Sequence, residues 1–335
     1  MPDDDLLARP HPGHEQDAPA AASPPHLLVA DAGHAGQRLD VFLTARLACR
    51  RGDAQQAIED GGVLVNGRTA RASHKVRAGD RVEATLSATA EEAELPMLAA
   101  APEDIPLAVL FEDDDLIVID KPAGLVVHPA GEIRHGTIAS ALAYRWGHAP
   151  GLVHRLDRDT SGVMVVARST AARERLTEQF RLHTVTKEYL ALVHGRLAAT
   201  AGRIDVPLRR DRKNRLRIVT CPPGEGRDSL TLYRVDTAWP EVALLEVEIR
   251  TGRTHQIRVH CAHLGHPVVA DEMYGKGRTA HLRLASHRDA VTALGRQFLH
   301  AARLSFDHPA TGERLTFRSP LAPDLRALLS ALGPP

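Results

Sequence analysis

The nine residues HRLDRDTSG, 154 to 162, set one His, two Asp, a Thr and a Ser between apolar runs. A carboxylate in such a setting can serve as nucleophile, general base or metal ligand. Asp, Thr, Ser and Gly are equally the residues of a tight turn, so the cluster taken alone reads first as a turn. A second polar run, TGRTHQIRVHCAHLGHPVVADEMYG at 251 to 275, holds a helix-like stretch with His255, His260, Cys261 and His263 close together. These are metal-ligating types, but zinc sites built on one helix set their ligands one turn apart. Here His255 and His260 are five apart, and His260 and His263 are three apart with no Glu between them, so a metal is the weak reading. Two further motifs are DKPAGLVVHP at 120 to 129 and KEYLALV at 187 to 193, in which Tyr189 alone would be taken for core. The chain has no Gly-x-Ser-x-Gly elbow, no phosphate loop and no Gly-x-Gly-x-x-Gly fingerprint, which argues against a nucleotide-cofactor enzyme.

The elements that must position these residues are legible in outline. At 335 residues the chain is long enough for one large domain and a smaller one. Lys plus Arg equals Asp plus Glu at 42 each, so any nucleic-acid surface must be a local patch. Three cysteines, Cys49, Cys221 and Cys261, without paired spacing argue for a reducing compartment. No apolar run approaches the roughly 20 residues of a membrane helix, and the start lacks the pattern of a signal peptide. Residues 1 to 35 read as a disordered tail, 36 to 85 as a compact block, 86 to 106 as an Ala-, Glu- and Pro-rich linker, 107 to 325 as the large domain and 326 to 335 as a tail.

In the large domain, LAVLFEDDDLIVIDKPAG predicts two strands around an acidic turn, and STAARERLTEQFRLH predicts a helix capped by Ser169. KEYLALVHG, SLTLYRVDTAW, VALLEVEIRTG, FLHAARLSFDHP and RLTFRSP predict strands. Strands dominate and helices fall irregularly between them, which favours an α+β domain over a doubly wound or barrel architecture. The small block predicts two short helices, the strand VLVNG, the turn RAGD and a closing strand. Arg46, Arg50, Arg51, Arg68, Arg71, Lys75 and Arg77 crowd into it, as a solvated face or as a track for a phosphate backbone.

The block's order of two helices, VNG and GD resembles the S4-like RNA-binding domain, although its second helix opens CRRGDAQQAI where relatives usually carry Ser-Arg. HRLDRDTSG, KEYLALV and TGRTHQIRVHCAHLGHPVVADEMYG, with KPAGLVVHP upstream, resemble in order the motifs of the RluA-type RNA pseudouridine synthases, from about Gly36 to about Leu321. That resemblance implies a catalytic domain with a mixed, mainly antiparallel sheet and flanking helices. It also implies isomerisation of uridine within RNA, with no cofactor or metal. By the family pattern Asp157 is the catalytic carboxylate, Arg258 its cationic partner, and Tyr189 the aromatic that stacks on the target uracil. Lys187 and His255 are supporting residues.

Arg155, on the face of Asp157 if the segment is extended, could fill the space left by the extracted base or simply pair with an Asp such as Asp159. Arg50, Arg51, Arg68, Arg71 and Lys75 are candidate RNA contacts. Arg209, Arg210, Arg212, Lys213, Arg215 and Arg217 form a second candidate surface, or a hairpin edge guarded by charge. Ala270 replaces a Gly common in relatives, and a local backbone change is expected there. The S4-like block together with this catalytic type points to large-subunit ribosomal RNA as the partner, in a cytoplasmic monomer that needs no membrane. Transfer RNA, a non-catalytic ribosome-assembly factor and a metalloenzyme are the competing readings.

Overall fold

The computed structural model describes residues 26–47, 54–55, 57–58, 61–85, 100–129, 133, 135–214 and 216–335. The chain divides into two compact units, Met1–Ser87 and Ala88–Pro335. In the first, strands β1 (His26–Val29), β2 (Val63–Val65), β3 (Arg68–Thr69) and β4 (Arg81–Ala84) form one sheet in the order β1-β4-β2-β3. Helix α1 (Leu39–Leu47) contributes Leu39, Phe42 and Leu43 to its core, with Ala54, Ala57 and Ile58 from the second predicted helix. The VNG motif is the β2–β3 turn: Asn66 and Gly67 both hold positive φ, the conformation an Asn-Gly hairpin requires. The Asn66 amide donates to Asp80 of the GD motif at 2.9 Å and accepts from Arg81 N–H at 2.9 Å, so the two signature turns hold each other.

Residues 26–29, expected to lie within the N-terminal tail, form β1, which pairs with β4 along its whole length. Its Leu27 and Val29 face outward, 76% and 58% exposed. The strand is held by backbone bonds that leave little trace in side-chain pattern.

The second unit is built on a ten-stranded sheet. Its strands are β5 (Ala108–Glu112), β6 (Leu116–Lys121), β7 (Gly151–Leu152), β8 (Ser161–Ala167), β9 (Thr186–His194), β10 (Ala201–Asp205), β13 (Leu230–Ala238), β14 (Val242–Ile249), β15 (Leu299–Asp307) and β16 (Arg314–Arg318). The path runs β10-β13-β14-β9-β15-β8-β6-β5, with β16 beside β15 and β7 beside β8. Among the described strands of this sheet only β15 and β8 pair in parallel, so it is mixed and mainly antiparallel, as expected. A separate hairpin joins β11 (Leu208–Arg210) to β12 (Ile218–Thr220). Helices α2 (Ile138–Trp146), α3 (Thr170–Arg181), α4 (Gln256–His263), α5 (Ala285–Leu294) and α6 (Pro323–Leu332) complete the unit.

Alternation decides where the core forms. On β6 and β8, Ile117, Ile119, Met164 and Val166 enter one apolar cluster, while Leu116, Val118, Val163 and Val165 enter another. With both faces covered, these strands read as unbroken apolar runs. The Ser169 side chain accepts from Ala172 N–H and starts α3 where the capping pattern placed it.

Two boundaries differ from expectation. Residues from 100 onward already belong to this unit: Ala100 is in its core, and the Glu103 carboxylate accepts Gly136 N–H at 3.0 and 3.1 Å. The segment has no periodicity because it is irregular chain. At the other end, residues 326 to 335 are no tail. Leu325, Leu328 and Leu332 of α6 are buried at helical spacing, and Pro323 occupies the helix's first turn. Among the described residues no helix is long and apolar enough to cross a membrane.

Candidate active site

The HRLD motif forms the loop between β7 and β8, and every carbonyl from 157 to 159 is tied down. Asp157 O accepts Thr160 N–H at 3.1 Å, Arg158 O accepts Gly124 N–H at 2.9 Å, and Asp159 O accepts from Arg296 Nη1 at 2.9 Å. Gly162 then passes so close to β15 that a Cβ would sit 2.2 Å from Ala301 O, at φ 115. Only glycine can stand there. The cluster is therefore both turn and scaffold: its turn residues fix the backbone from which the Asp157 side chain projects, 18% exposed.

Asp157 meets two groups from the 251–275 motif. Arg258 Nη1 donates to Asp157 Oδ2 at 3.0 Å, and His255 Nε2 stands 3.9 Å from the same oxygen. Arg258 is itself held by Asp271, through Nε at 2.6 Å and Nη2 at 3.0 Å. Asp271 also accepts Met273 N–H at 3.0 Å and Tyr274 N–H at 3.1 Å. Burial works against the Arg258 charge, but the Asp271 hydrogen bond and the charges of Asp157 and Asp271 outweigh it and leave the guanidinium more basic than usual. It is a fixed cation with a planar fork, half committed to structure and half to Asp157.

Tyr189, 9% exposed on β9, also lies within the field of Asp157. Burial, then that charge, push its phenol well above the ordinary range, so the hydroxyl stays neutral. The structure thus brings Arg258 and His255 to Asp157, with Tyr189 close enough to feel its charge. Lys187, two residues before Tyr189, is buried and has its Nζ 5.7 Å from the centre of the Phe180 ring. Burial pushes it down to about 8, and it joins neither the Asp157 nor the Arg258 contacts. Arg155 is exposed. The alternative pairing with Asp159 is made instead by its neighbour Arg158, at 3.1 Å, beside it in the turn at 158–159. Arg68, Arg71 and Lys75 are exposed on the first unit. Arg50, Arg51 and Arg215 lie outside the described residues.

Sequence reasoning assigned no role to Lys121, Asp271 or Arg296. Lys121 is fully buried, and its Nζ donates to the carbonyls of Pro122 at 2.8 Å, Leu125 at 2.8 Å and Arg158 at 2.9 Å. It thereby staples the KPAG loop to the loop that carries Asp157, and burial lowers it to about 8 against the pull of Asp159 and Asp157. Arg296 grips Asp324 of α6 at 2.6 and 2.8 Å and reaches Asp159 O. Ser161 Oγ donates to His300 Nδ1 at 3.0 Å beneath the same loop. The only outward sign of Lys121 is a lysine closing an otherwise apolar run. Asp271 and Arg296 offer no local sign at all.

The metal reading of α4 fails on geometry. His260 bonds Thr231 Oγ1 at 2.8 Å and Val206 O at 3.0 Å, Cys261 is buried, and His255 bonds Tyr274. Among the described residues the one cluster with metal-ligand types and spacing is Asp113, Asp115 and His308. There His308 already accepts from Ala310 and Thr311 N–H and donates to Asp113 at 2.8 Å. In place of the local backbone change expected at Ala270, the residue holds φ 58, glycine's own region, which alanine occupies at about 1 kcal/mol.

Six histidines of this unit are held neutral by burial. Burial lowers His154 to about 3 and His194 to about 4, and also lowers His128, His255, His260 and His300. His154, the first residue of HRLD, accepts Val165 N–H at 3.1 Å and stacks on Phe180. Such groups bind protons more tightly in the unfolded chain, whose value is 6.5. Their contribution to stability is complete above that pH and is lost as the pH falls below it. The free energy of urea unfolding is expected to drop from pH 6.5 toward pH 4, by about 1.4 kcal/mol per pH unit for each of His154 and His194. A flat profile over that range would show these rings to be solvated.

The RNA pseudouridylate synthase family pattern matches residues 115–263, and the S4 domain pattern matches residues 37–82. The ribosomal large subunit pseudouridine synthase D of Xanthomonas campestris is 41% identical over 310 residues, covering 89% of each chain. An uncharacterized RNA pseudouridine synthase of Chlorobaculum parvum is 39% identical over 312 residues, covering 88% of this chain and 94% of its own. The solved structure of human RNA pseudouridylate synthase domain containing 4 superposes with a TM-score of 0.54 at 28% identity, over 67% of this chain and 92% of that one.

Proposed function

Because this chain belongs to the RluA-type family of RNA pseudouridine synthases, we propose that it isomerises specific uridines of large-subunit ribosomal RNA. The observation that carries this reading is Asp157, a partly exposed carboxylate on a rigid turn, oriented at 3.0 Å by a buried arginine and set near a buried tyrosine. In the reaction the bond from ribose C1′ to uracil N1 breaks, C1′ bonds to C5, the C5 proton leaves and N1 gains one. No atom is gained or lost, so the chemistry calls for neither cofactor nor metal.

Asp157 supplies the carboxylate for bond cleavage, and the Asp271-anchored Arg258 keeps it aimed without reorganisation during the reaction. Tyr189, neutral and apolar-faced, stacks on the flipped uracil. Arg155, exposed and without an ion pair among the described residues, fills the gap the base leaves. The exposed Arg68, Arg71 and Lys75, with Arg50 and Arg51, hold the phosphate backbone through the S4 unit. A cytoplasmic monomer belongs to the same proposal, in keeping with the free Cys221 and Cys261.

Ribosomal rather than transfer RNA is favoured by relatives named for the large ribosomal subunit. The test incubates unmodified large-subunit ribosomal RNA and transfer RNA separately with the protein, followed by position-resolved mapping of pseudouridine. New sites confined to ribosomal RNA are expected. New sites only in transfer RNA would move the target, and none in either pool would favour a non-catalytic assembly role.

A further inference from the structure

The β11–β12 hairpin stands apart from the main sheet, and its inner residues Leu208 and Ile218 pack with Val259 of α4 and with Tyr274. It is therefore seated on the helix that carries Arg258. Tyr274 is also where the hairpin meets the catalytic residues. Its hydroxyl accepts Ile218 N–H at 2.9 Å and lies 2.9 Å from His255 Nδ1. The Arg217 and Arg258 guanidiniums stand 5.6 and 5.2 Å from the centre of its ring. Burial keeps the Tyr274 hydroxyl protonated and His255 neutral.

One placement of the protons satisfies this bonding pattern and the carboxylate beyond it. With its oxygen accepting from Ile218, Tyr274 has its own proton to give, and His255 Nδ1 is the acceptor beside it. The imidazole proton then sits on Nε2, facing Asp157 Oδ2 at 3.9 Å. The other tautomer would turn a lone pair toward a carboxylate oxygen. His255 holds this place at φ 55 and ψ 17, a left-handed conformation that a non-glycine residue adopts at a cost, immediately before α4.

We propose that His255 is a positioning residue for Asp157, fixed as its Nε2–H form by Tyr274, and that Tyr274 couples the seating of the basic β11–β12 hairpin to the aim of the catalytic carboxylate. This rests on the synthase reading above. RNA held by the exposed Arg212 and Lys213 would in this way be sensed at Asp157, at the moment the base must be presented. Neither His255 nor Tyr274 needs to touch the reacting atoms.

A double-mutant cycle tests the coupling. Tyr274→Phe keeps the ring and removes the hydroxyl, while His255→Gln places an amide donor that needs no tautomer. Tyr274→Phe is expected to lower kcat about tenfold with KM changed less than about twofold, and to lower kcat less than about twofold in the His255→Gln background. Removing charge at the hairpin, Arg212→Ala with Lys213→Ala, is expected to raise KM and lower kcat in the otherwise native protein, but only to raise KM once Tyr274 is Phe. Equal factors in both His255 backgrounds, or an unchanged kcat on removal of the hairpin charge, would overturn the coupling and leave the synthase reading standing. A native protein with no turnover would overturn both.

Discussion

Asp157→Asn is expected to reduce pseudouridine formation on the order of 10³-fold or more, the scale of losing a positioned proton-transfer or nucleophilic group, while folding and RNA binding stay near native. The amide has the shape of the carboxylate, and its oxygen still accepts from Arg258 Nη1. The backbone bond from Thr160 N–H to Asp157 O is untouched. What disappears is the negative charge and the lone pairs that the proposed chemistry uses. Urea unfolding should shift by no more than about 1 kcal/mol, as for a substitution that opens no cavity and strands no charge. Turnover and RNA affinity measured on the same preparation separate the two effects. A mutant that still turns over at a native rate would remove Asp157 from the chemistry and leave it as a binding residue.

Arg258→Met is expected to strike both activity and stability, by a different route. It strands the Asp271 carboxylate, which has no exposure and would keep only the Met273 and Tyr274 N–H groups. Breaking a buried pair in this way costs about 3–5 kcal/mol, because one charge is left uncompensated. Adding Asp271→Asn should restore most of that loss, since the amide oxygen can still accept both backbone N–H groups and no fully buried charge remains, Asp157 being partly exposed. It should not restore turnover, because Asp157 has still lost its partner. Urea unfolding of the single and double variants, beside turnover, checks this. Stability unchanged in Arg258→Met would show that Asp271 is solvated; turnover regained in the double variant would make Arg258 merely structural.

The sequence by itself determined the elements with strong local codes. The two strands around the acidic turn and the Ser169 cap of α3 appear where pattern placed them, because capping and strand alternation act within a few residues, whereas Asn66 and Gly67, read as the end of a strand, form the β2–β3 turn. Motif order also determined the family and singled out Asp157, Tyr189 and Arg258. Tertiary structure decided which groups finish the site. Lys121 bonds a carbonyl 37 residues away, Arg258 meets Asp157 across 101 residues, and Arg296 reaches Asp159 across 137. No window of sequence contains both ends of such contacts. The same holds for β1, whose bonds are all backbone, and for α6, whose leucines have a partner only once the sheet has formed. Local propensity can place an Asp in a turn; only the folded chain decides which buried cation it faces.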